Sequence, residues 1–475
     1  MLPRWALYSV STTSWTLYAV AAPRIYADLQ FRPGMFNDSV AGGTHSEKEL
    51  ERLAVWSSER IAPLVRTCSV VLYGSKDVSL RLEKRTLTDA TFEAISRFVN
   101  VQTLLCHFSG RVVELYGLRL DNLKRLETLR ILGGQLKPAV RLPDYRLRVQ
   151  HFVFNDNHPV WRLPGRPAAV DDAIPSRLSL LDPRTLRTLE LSSSTPEAFF
   201  SAEDTGTFAS LRTLRLTFLG GAALSHVRAC LAPFPALREL SVHLDNGAFA
   251  SMANDLRPGD KPAPLPCLDR YTGPAAVRPL FSALKASPAE VIITSLPYPA
   301  RLAFVLTAFR VEGARPDMIT TLHLCEVFRS AELMGYSGPG APETGRATVL
   351  EDIVAACPRL ANLTLEFFTD EGSTLPEGPA DPDNTLTHQL RALVNDRLHR
   401  LLSSCAPALQ TATIRWNVWP SDKVLVPFLP DFVRGLSAST PSRSTWNAPS
   451  WSPIVRFQRR LGRQFVNWEG SKAPV

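Results

Sequence analysis

A six-residue unit, apolar-x-x-apolar-x-apolar, recurs along most of this 475-residue chain. A chain built this way can bury its leucines only by stacking one copy on the next. The clearest copies are Leu186-Arg-Thr-Leu189-Glu-Leu191, Leu211-Arg-Thr-Leu214-Arg-Leu216 and Leu237-Arg-Glu-Leu240-Ser-Val242, whose starts lie 25 and 26 residues apart. Weaker copies begin at Val101, Leu126, Val149, Ile319, Leu360 and Leu409, and partial ones near Val65, Leu268 and Ala289. Irregular spacing after Leu237 points to inserted loops such as 246–265 and 333–347. The last three residues of each unit read as a short strand, with side chains alternating between core and surface.

The stretches between units carry helical patterning. Val349, Leu350, Ile353 and Val354 recur at helical spacing within 348–357, and a second such run covers 387–404. Cys230 ahead of Pro233, Cys357-Pro358 and Cys405-Ala-Pro407 mark helix-to-strand junctions, where a small buried thiol can pack and proline stops the helix. The expected fold is therefore α/β: an irregular horseshoe-like solenoid with short parallel strands and helices on the convex side, over residues 61–420. A short helical segment at 1–33 and a linker with a connecting helix at 34–60 precede it. A C-terminal cap with a partly disordered basic and aromatic tail, 421–475, follows. Ser46 and Glu49 form a capping box for the connecting helix, which should run to about Arg60 and lead to a first strand near Val65 to Val71.

Several classes fall away. Apolar residues make up 45% and charged residues 21% of the chain, which suits a folded protein and excludes wholesale disorder. The net charge of +8 comes mainly from arginine spread over a mixed-sign surface without long like-charge runs, so nucleic acid is not the expected partner. The seven cysteines are scattered without a CxxC, which fits buried thiols in a reducing compartment. The apolar run from Trp5 to Ala22 is broken by Ser9, Ser11, Thr12, Thr13, Ser14 and Thr16, so neither a signal peptide nor a membrane span is expected. The expected location is cytoplasmic or nuclear, where the sequons at Asn37 and Asn362 carry no glycan.

Catalytic motifs are missing. There is no Walker-type loop, nucleophile elbow, His-Glu-x-x-His or dinucleotide fingerprint. The nine histidines show no i,i+4 pair, and none is read as having a cysteine companion. Asp171-Asp172 and Glu351-Asp352 are adjacent and read as solvated surface. No enzyme activity, metal or cofactor is expected.

Two sets of residues read as binding surfaces. Outward strand positions form one column through Thr128, Thr188, Thr213, Glu239, Thr321, Asn362 and Thr411. A second runs through Arg130, Glu190, Arg215, Ser241, His323, Thr364 and Thr413. This concave face is polar, mixed in sign and threonine-rich, which suits a protein or peptide, although threonine is also a good strand former on any solvated face. In the tail, Ile454, Phe457, Leu461, Phe465 and Trp468 sit at helical spacing beside Arg456, Arg459, Arg460 and Arg463. The reading is a capping helix docked on the last repeat, with membrane-surface or nucleic-acid contact as the alternative and disorder over 438–452.

The units "CPRLANLTL", "LRTLEL" and "FPALRELSV" resemble the cysteine-containing type of leucine-rich repeat, and the wider pattern resembles the fungal F-box/leucine-rich-repeat family. Residues 7–31, "LYSVSTTSWTLYAVAAPRIYADLQF", are similar to the second half of an F-box, the matching positions being Val10, Ser11, Trp15, Ala21, Ala22, Pro23, Ile25 and Tyr26. Leu7, Val10, Leu17 and Val20, with Ser14 and Trp15, form an apolar helical stripe that Pro23 ends; a plain terminal cap on the repeats is the other reading. The resemblance implies a substrate-recognition subunit of an SCF-type ubiquitin ligase. A Skp-family adaptor would dock at Leu7, Val10, Trp15 and Pro23, and an unidentified protein substrate would lie on the repeats. A stand-alone interaction scaffold is the alternative. An intact F-box opens with a Leu-Pro-x-Glu helix and a second helix before the part matched here. Met1 comes too late for these, so the expectation is a start set too far downstream or a loss of adaptor docking.

Overall fold

A computed structural model of the chain describes residues 4–32, 44–73, 79–109, 120–133, 146–155, 181–193, 207–218, 233–244, 268–274, 288–294, 315–327, 349–368, 408–418, 451–460 and 463–472. It also describes 112–113, 135–136, 178, 231, 305–306 and 309–310. The expected helix at 387–404, the loops at 246–265 and 333–347, the 34–43 linker, Asp171-Asp172, Asn37, Cys230 and Cys405 lie outside these residues. The chain divides into two compact units, Met1–Leu237 and Arg238–Val475.

The first unit carries a parallel sheet of seven strands. These are β1 (Asp28–Phe31), β2 (Thr67–Tyr73), β3 (Thr103–Ser109), β5 (Thr128–Leu132), β7 (His151–Asn155), β8 (Thr188–Ser193) and β9 (Thr213–Phe218), side by side in that order. Two short strands, β4 (Val112–Val113) and β6 (Gln135–Leu136), pair apart from it. The second unit continues the same design with β10 (Glu239–Leu244), β11 (Arg270–Gly273), β12 (Glu290–Ile293), β13 (Thr321–Val327), β14 (Asn362–Phe368) and β15 (Thr411–Val418), all parallel. Each of the twelve unit starts read from the sequence leads into one of these strands, from β2 to β15. Each unit is thus built on a repeated parallel strand, consistent with a fold of the α/β solenoid kind.

The repeat is visible in the hydrogen bonds at strand entry. The Ala27 carbonyl accepts from the N–H groups of both Arg66 and Thr67, Arg66 O from Gln102 and Thr103, and Gln102 O from Glu127 and Thr128. The pattern continues through Glu127 O, Gln150 O and Arg187 O. In the second unit Ala289 O, Thr320 O and Ala361 O each accept two N–H groups in the same way. Each rung thus satisfies the backbone of the next, which is how a stacked array avoids buried unpaired amides. Inside, Leu186, Leu189 and Leu191 of one unit and Leu211, Leu214 and Leu216 of the next are buried, as are Leu237, Leu240 and Val242. Cys68 and Cys106 are buried on β2 and β3; burial pushes the Cys106 thiol up to about 12 and that of Cys68 in the same direction.

Among the described returns, α4 (Ser79–Ser96) between β2 and β3 and α5 (Val349–Ala355) between β13 and β14 are helical. Leu87, Ala94 and Ile95 of α4 and Leu350, Ile353 and Val354 of α5 are buried, so each helix lays one apolar stripe into the core. Cys357 follows α5 fully buried, and its carbonyl accepts from Leu360 N–H at 3.0 Å. At β11 the phenol of buried Tyr271 donates to the Pro274 carbonyl at 2.6 Å. Glycine at 273 makes room for it, because a Cβ there would meet Tyr271 Oη at 2.6 Å and Val242 O at 2.8 Å.

Four expectations are corrected. The sheet begins before Val65: β1 pairs with β2 from Asp28↔Thr67 to Phe31↔Val70, so the N-terminal segment supplies a rung of its own. The apolar stripe from Leu7 to Val20 belongs to two helices, α1 (Arg4–Ser11) and α2 (Trp15–Ile25). Ser11 Oγ donates to Tyr8 O and Thr12 Oγ1 to Ser9 O, and Ser14 Oγ caps α2 by accepting from Leu17 N–H at 3.1 Å. Pro23 does not end α2, which runs to Ile25 and closes through Tyr26 N–H on Ala22 O. The connecting helix, α3, spans Thr44–Trp56 and stops short of Arg60.

The C-terminal correction is larger. Residues expected to form a capping helix form an antiparallel hairpin, β16 (Trp451–Arg460) and β17 (Arg463–Lys472), with β17 paired to β15 from Thr411↔Ser471 to Val418↔Gln464. The open edge of β15 presents a row of backbone groups that a helix would leave unpaired and a strand satisfies. Pro453 stands in β16, the outer strand, where a missing N–H costs least. Of the stretch expected to be disordered, 438–450 lies outside the described residues, and Trp451 and Ser452 belong to β16.

Candidate functional site

The first candidate surface is the outward face of the strands. Strand register decides which residues are neighbours. In the first unit one column runs Thr67, Thr103, Thr128, His151, Thr188, Thr213. Beside it run Ser69, Leu105, Arg130, Val153, Glu190 and Arg215. In the second unit the columns are Glu239, Arg270, Glu290, Thr321, Asn362, Thr411 and Ser241, Thr272, Ile292, His323, Thr364, Thr413. Arg130, Glu190 and Arg215 therefore share one column of the first unit, and Ser241, His323, Thr364 and Thr413 share one of the second.

Sequence reading missed Thr67, Thr103, His151, Arg270 and Glu290 in the first column, and Ser69, Leu105, Val153, Thr272 and Ile292 in the second. Each lies one residue before or after the second apolar position of an identified or partial unit, so completing the weak copies would have found them. The columns are cross-linked laterally. Asn362 Nδ2 donates to Thr321 Oγ1 at 3.2 Å, and Thr411 Oγ1 donates to Asn362 Oδ1 at 2.6 Å. Arg270 pairs with Glu290 at 2.6 Å and Arg215 with Glu190 at 3.7 Å. Among these positions Arg130, Arg215 and Arg270 balance Glu190, Glu239 and Glu290, so the face carries no positive stripe.

Within the second unit, three side chains of the outward face converge. His323 Nε2 lies 3.4 Å from Cys325 Sγ and 3.5 Å from a Glu366 carboxylate oxygen, and all three residues are half-buried. The expectation that no histidine has a cysteine companion is therefore wrong. His323-x-Cys325 is an i,i+2 pair, which a strand places on one face.

The second candidate surface is the helical pair at the N-terminus. Ala21, Ala22 and Ile25 of α2 are buried. Tyr8 of α1 and Trp15, Leu17 and Val20 of α2 are exposed; Trp15 is 70% and Val20 72% exposed. Trp15 stacks on Tyr18 with ring centroids 5.3 Å apart, and the Arg60 guanidinium lies 4.3 Å and 4.8 Å from the two ring centres. Tyr18, Tyr26 and Trp56 continue the aromatic contacts to α3. Burial, and then the hydrogen bond with Tyr18, hold the Tyr26 phenol above its ordinary value. Of the adaptor residues expected from sequence, Trp15 and Pro23 are exposed and Leu7 is half-buried, while the Val10 side chain lies outside the description. Leu7 and Val10 sit on α1, Trp15 and Pro23 at opposite ends of α2.

No protein-family model matches this chain, and no curated protein matches it. Among the described residues no helix is long and apolar enough to cross a membrane.

Proposed function

We propose that this chain is a protein-binding scaffold of the cysteine-containing leucine-rich-repeat type, working as a substrate-recognition subunit of an SCF-type ubiquitin ligase. The observation that carries the reading is the concentration of exposed large apolar side chains on α1 and α2. Six such side chains occur among the described residues, and four of them lie between Tyr8 and Val20. Exposed apolar side chains gathered on one short segment suit a docking site. Its position, on a segment that resembles half of an F-box, supports a Skp-family adaptor as the partner. Exposed Trp15 and Pro23 are suited to contact it directly; the other two residues expected there, Leu7 and Val10, lie on α1.

The outward strand face is the site for the ligase substrate. Its balanced charge and interspersed Leu105, Val153 and Ile292 suit a folded protein or peptide better than a polyanion, which needs a net positive track. The chain supplies binding and orientation, and the transfer chemistry belongs to other subunits.

Co-expression of the full chain with a Skp-type adaptor tests the first half. The two should co-purify, and Trp15→Ala with Val20→Asp should abolish recovery while the far-ultraviolet circular dichroism is unchanged. If the adaptor never associates, the stand-alone interaction scaffold replaces the ligase reading. For the substrate face, Arg130→Glu with Arg215→Glu should leave folding intact and weaken capture of a bound protein. Unaltered capture would refute the assignment.

A further inference from the structure

We propose that His323, Cys325 and Glu366 form a divalent transition-metal site of the zinc class on the outward face of the second unit, with one coordination position left for water or a partner's donor atom. The proposal stands independently of the adaptor reading, since it concerns other residues and a different ligand.

Geometry is the first support. Zinc takes nitrogen, sulfur and carboxylate oxygen at about 2.0–2.1, 2.3 and 2.0–2.2 Å in a tetrahedron. The law of cosines then gives donor-to-donor edges of about 3.6 Å for N to S and about 3.4 Å for N to O. The corresponding separations here are 3.4 Å and 3.5 Å, and all three donor atoms lie within 4.8 Å of one another. Two of the three edges thus match those of a bound ion, and the sulfur-to-oxygen edge is no longer than 4.8 Å.

The backbone supplies a second, independent observation. β13 pairs with β14 at Leu324↔Leu365 and next at Val327↔Phe367, so β13 advances three residues while β14 advances two. The extra residue falls at Cys325 and Glu326, opposite Glu366. A bulge of this kind re-aims a side chain out of the regular pleat, and such bulges recur beside functional sites. It occurs in this sheet at the point where the three donors meet. Among the described cysteines Cys325 is also the one that is not fully withdrawn from the surface, the others being buried.

A third observation lies on the neighbouring strand. Ile293 pairs with Leu324, which puts Thr294 at the level of Cys325 on the other side. Thr294 Oγ1 is buried without a hydrogen-bond partner among the described residues. It is placed to hold a water or a partner's group in the open position. Charge is compatible with this site: thiolate and carboxylate together neutralise a divalent ion, and neutral imidazole adds none.

Cobalt titration of the chelator-treated full chain is the test. One equivalent of Co2+ should bind with a thiolate-to-cobalt charge-transfer band and the strong visible bands of a four-coordinate ion, and Zn2+ should displace it. Cys325→Ser should remove the charge-transfer band. His323→Ala and Glu366→Gln should each weaken binding by at least about tenfold, the lower end of what even outer-shell partners of a metal contribute. A second readout needs no variant: bound Zn2+ should slow alkylation of Cys325, followed by peptide mass spectrometry. The proposal fails if no equivalent of Co2+ binds, or if the charge-transfer band survives in Cys325→Ser. It also fails if Zn2+ leaves the alkylation rate of Cys325 unchanged.

Discussion

Truncating one inward leucine should cost far more than truncating its exposed neighbour on the same strand. Leu214 on β9 is fully buried and pairs with Leu189 of β8. Leu214→Ala removes three methylene-equivalents, or about 2.4 kcal/mol of transfer free energy at about 0.8 kcal/mol each. The strand is hydrogen-bonded in register and cannot collapse freely, so a residual cavity of about 50 Å3 would add about 1.2 kcal/mol. The sum, about 3.6 kcal/mol, sits within the usual range for such changes. Leu214→Asp should exceed it, because the carboxylate would be buried without a partner. Arg215, one residue on, points outward and meets Glu190 at 3.7 Å with both side chains well exposed. Arg215→Ala should cost less than about 1 kcal/mol. Urea unfolding followed by circular dichroism gives the totals, and hydrogen exchange should place the lost protection in β8 and β9. If the two alanine variants proved equally stable, the alternation of inside and outside on which the fold rests would be refuted.

Other outcomes follow from the same structure. Gly273→Ala should destabilise by about 1–3 kcal/mol, since the new methyl group overlaps Tyr271 Oη and Val242 O; Tyr271→Phe in the same background should recover part of the loss, read from the urea midpoint. The chain should lose stability above pH 9. The Cys106 thiol ionises near 12 when folded and near its ordinary value of 9.0 when unfolded, so between these values the unfolded chain releases a proton the folded chain keeps. The slope is at most about 1.4 kcal/mol per pH unit for each such thiol, Cys68 shifting the same way, and stability below pH 9 is unaffected by them. Cys106→Ala should flatten this dependence in urea titrations at pH 8, 9 and 10, settings spaced about one unit apart to resolve it. Trp15→Ala should change stability by about 1 kcal/mol or less, because its stacking and cation contacts lie at an exposed site; a loss several times larger would make Trp15 a structural residue and weaken its role in docking.

The rungs of the sheet were legible in the chain. Alternation of leucine with polar residues is a local property, and a unit that cannot bury its own face must stack, so strand positions and inward residues followed from the pattern alone. The expected junction at Cys357-Pro358 and the helix before it followed for the same reason. The residue register did not: which side chains face each other across neighbouring strands depends on returns of very unequal length, and these bring residues far apart in sequence into contact. Tyr26, Leu29 and Phe31 match the repeat unit too, and they lead into and form β1. In the tail, Ile454, Phe457 and Phe465 fit a helical stripe and a strand almost equally well. The unpaired backbone edge of β15 decided between them, and no local pattern encodes that edge. The meeting of His323 and Cys325 with Glu366 was likewise a tertiary outcome. Spacing put the first two on one face, but only the pairing of β13 with β14, and the extra residue at their bulge, brought the carboxylate within reach.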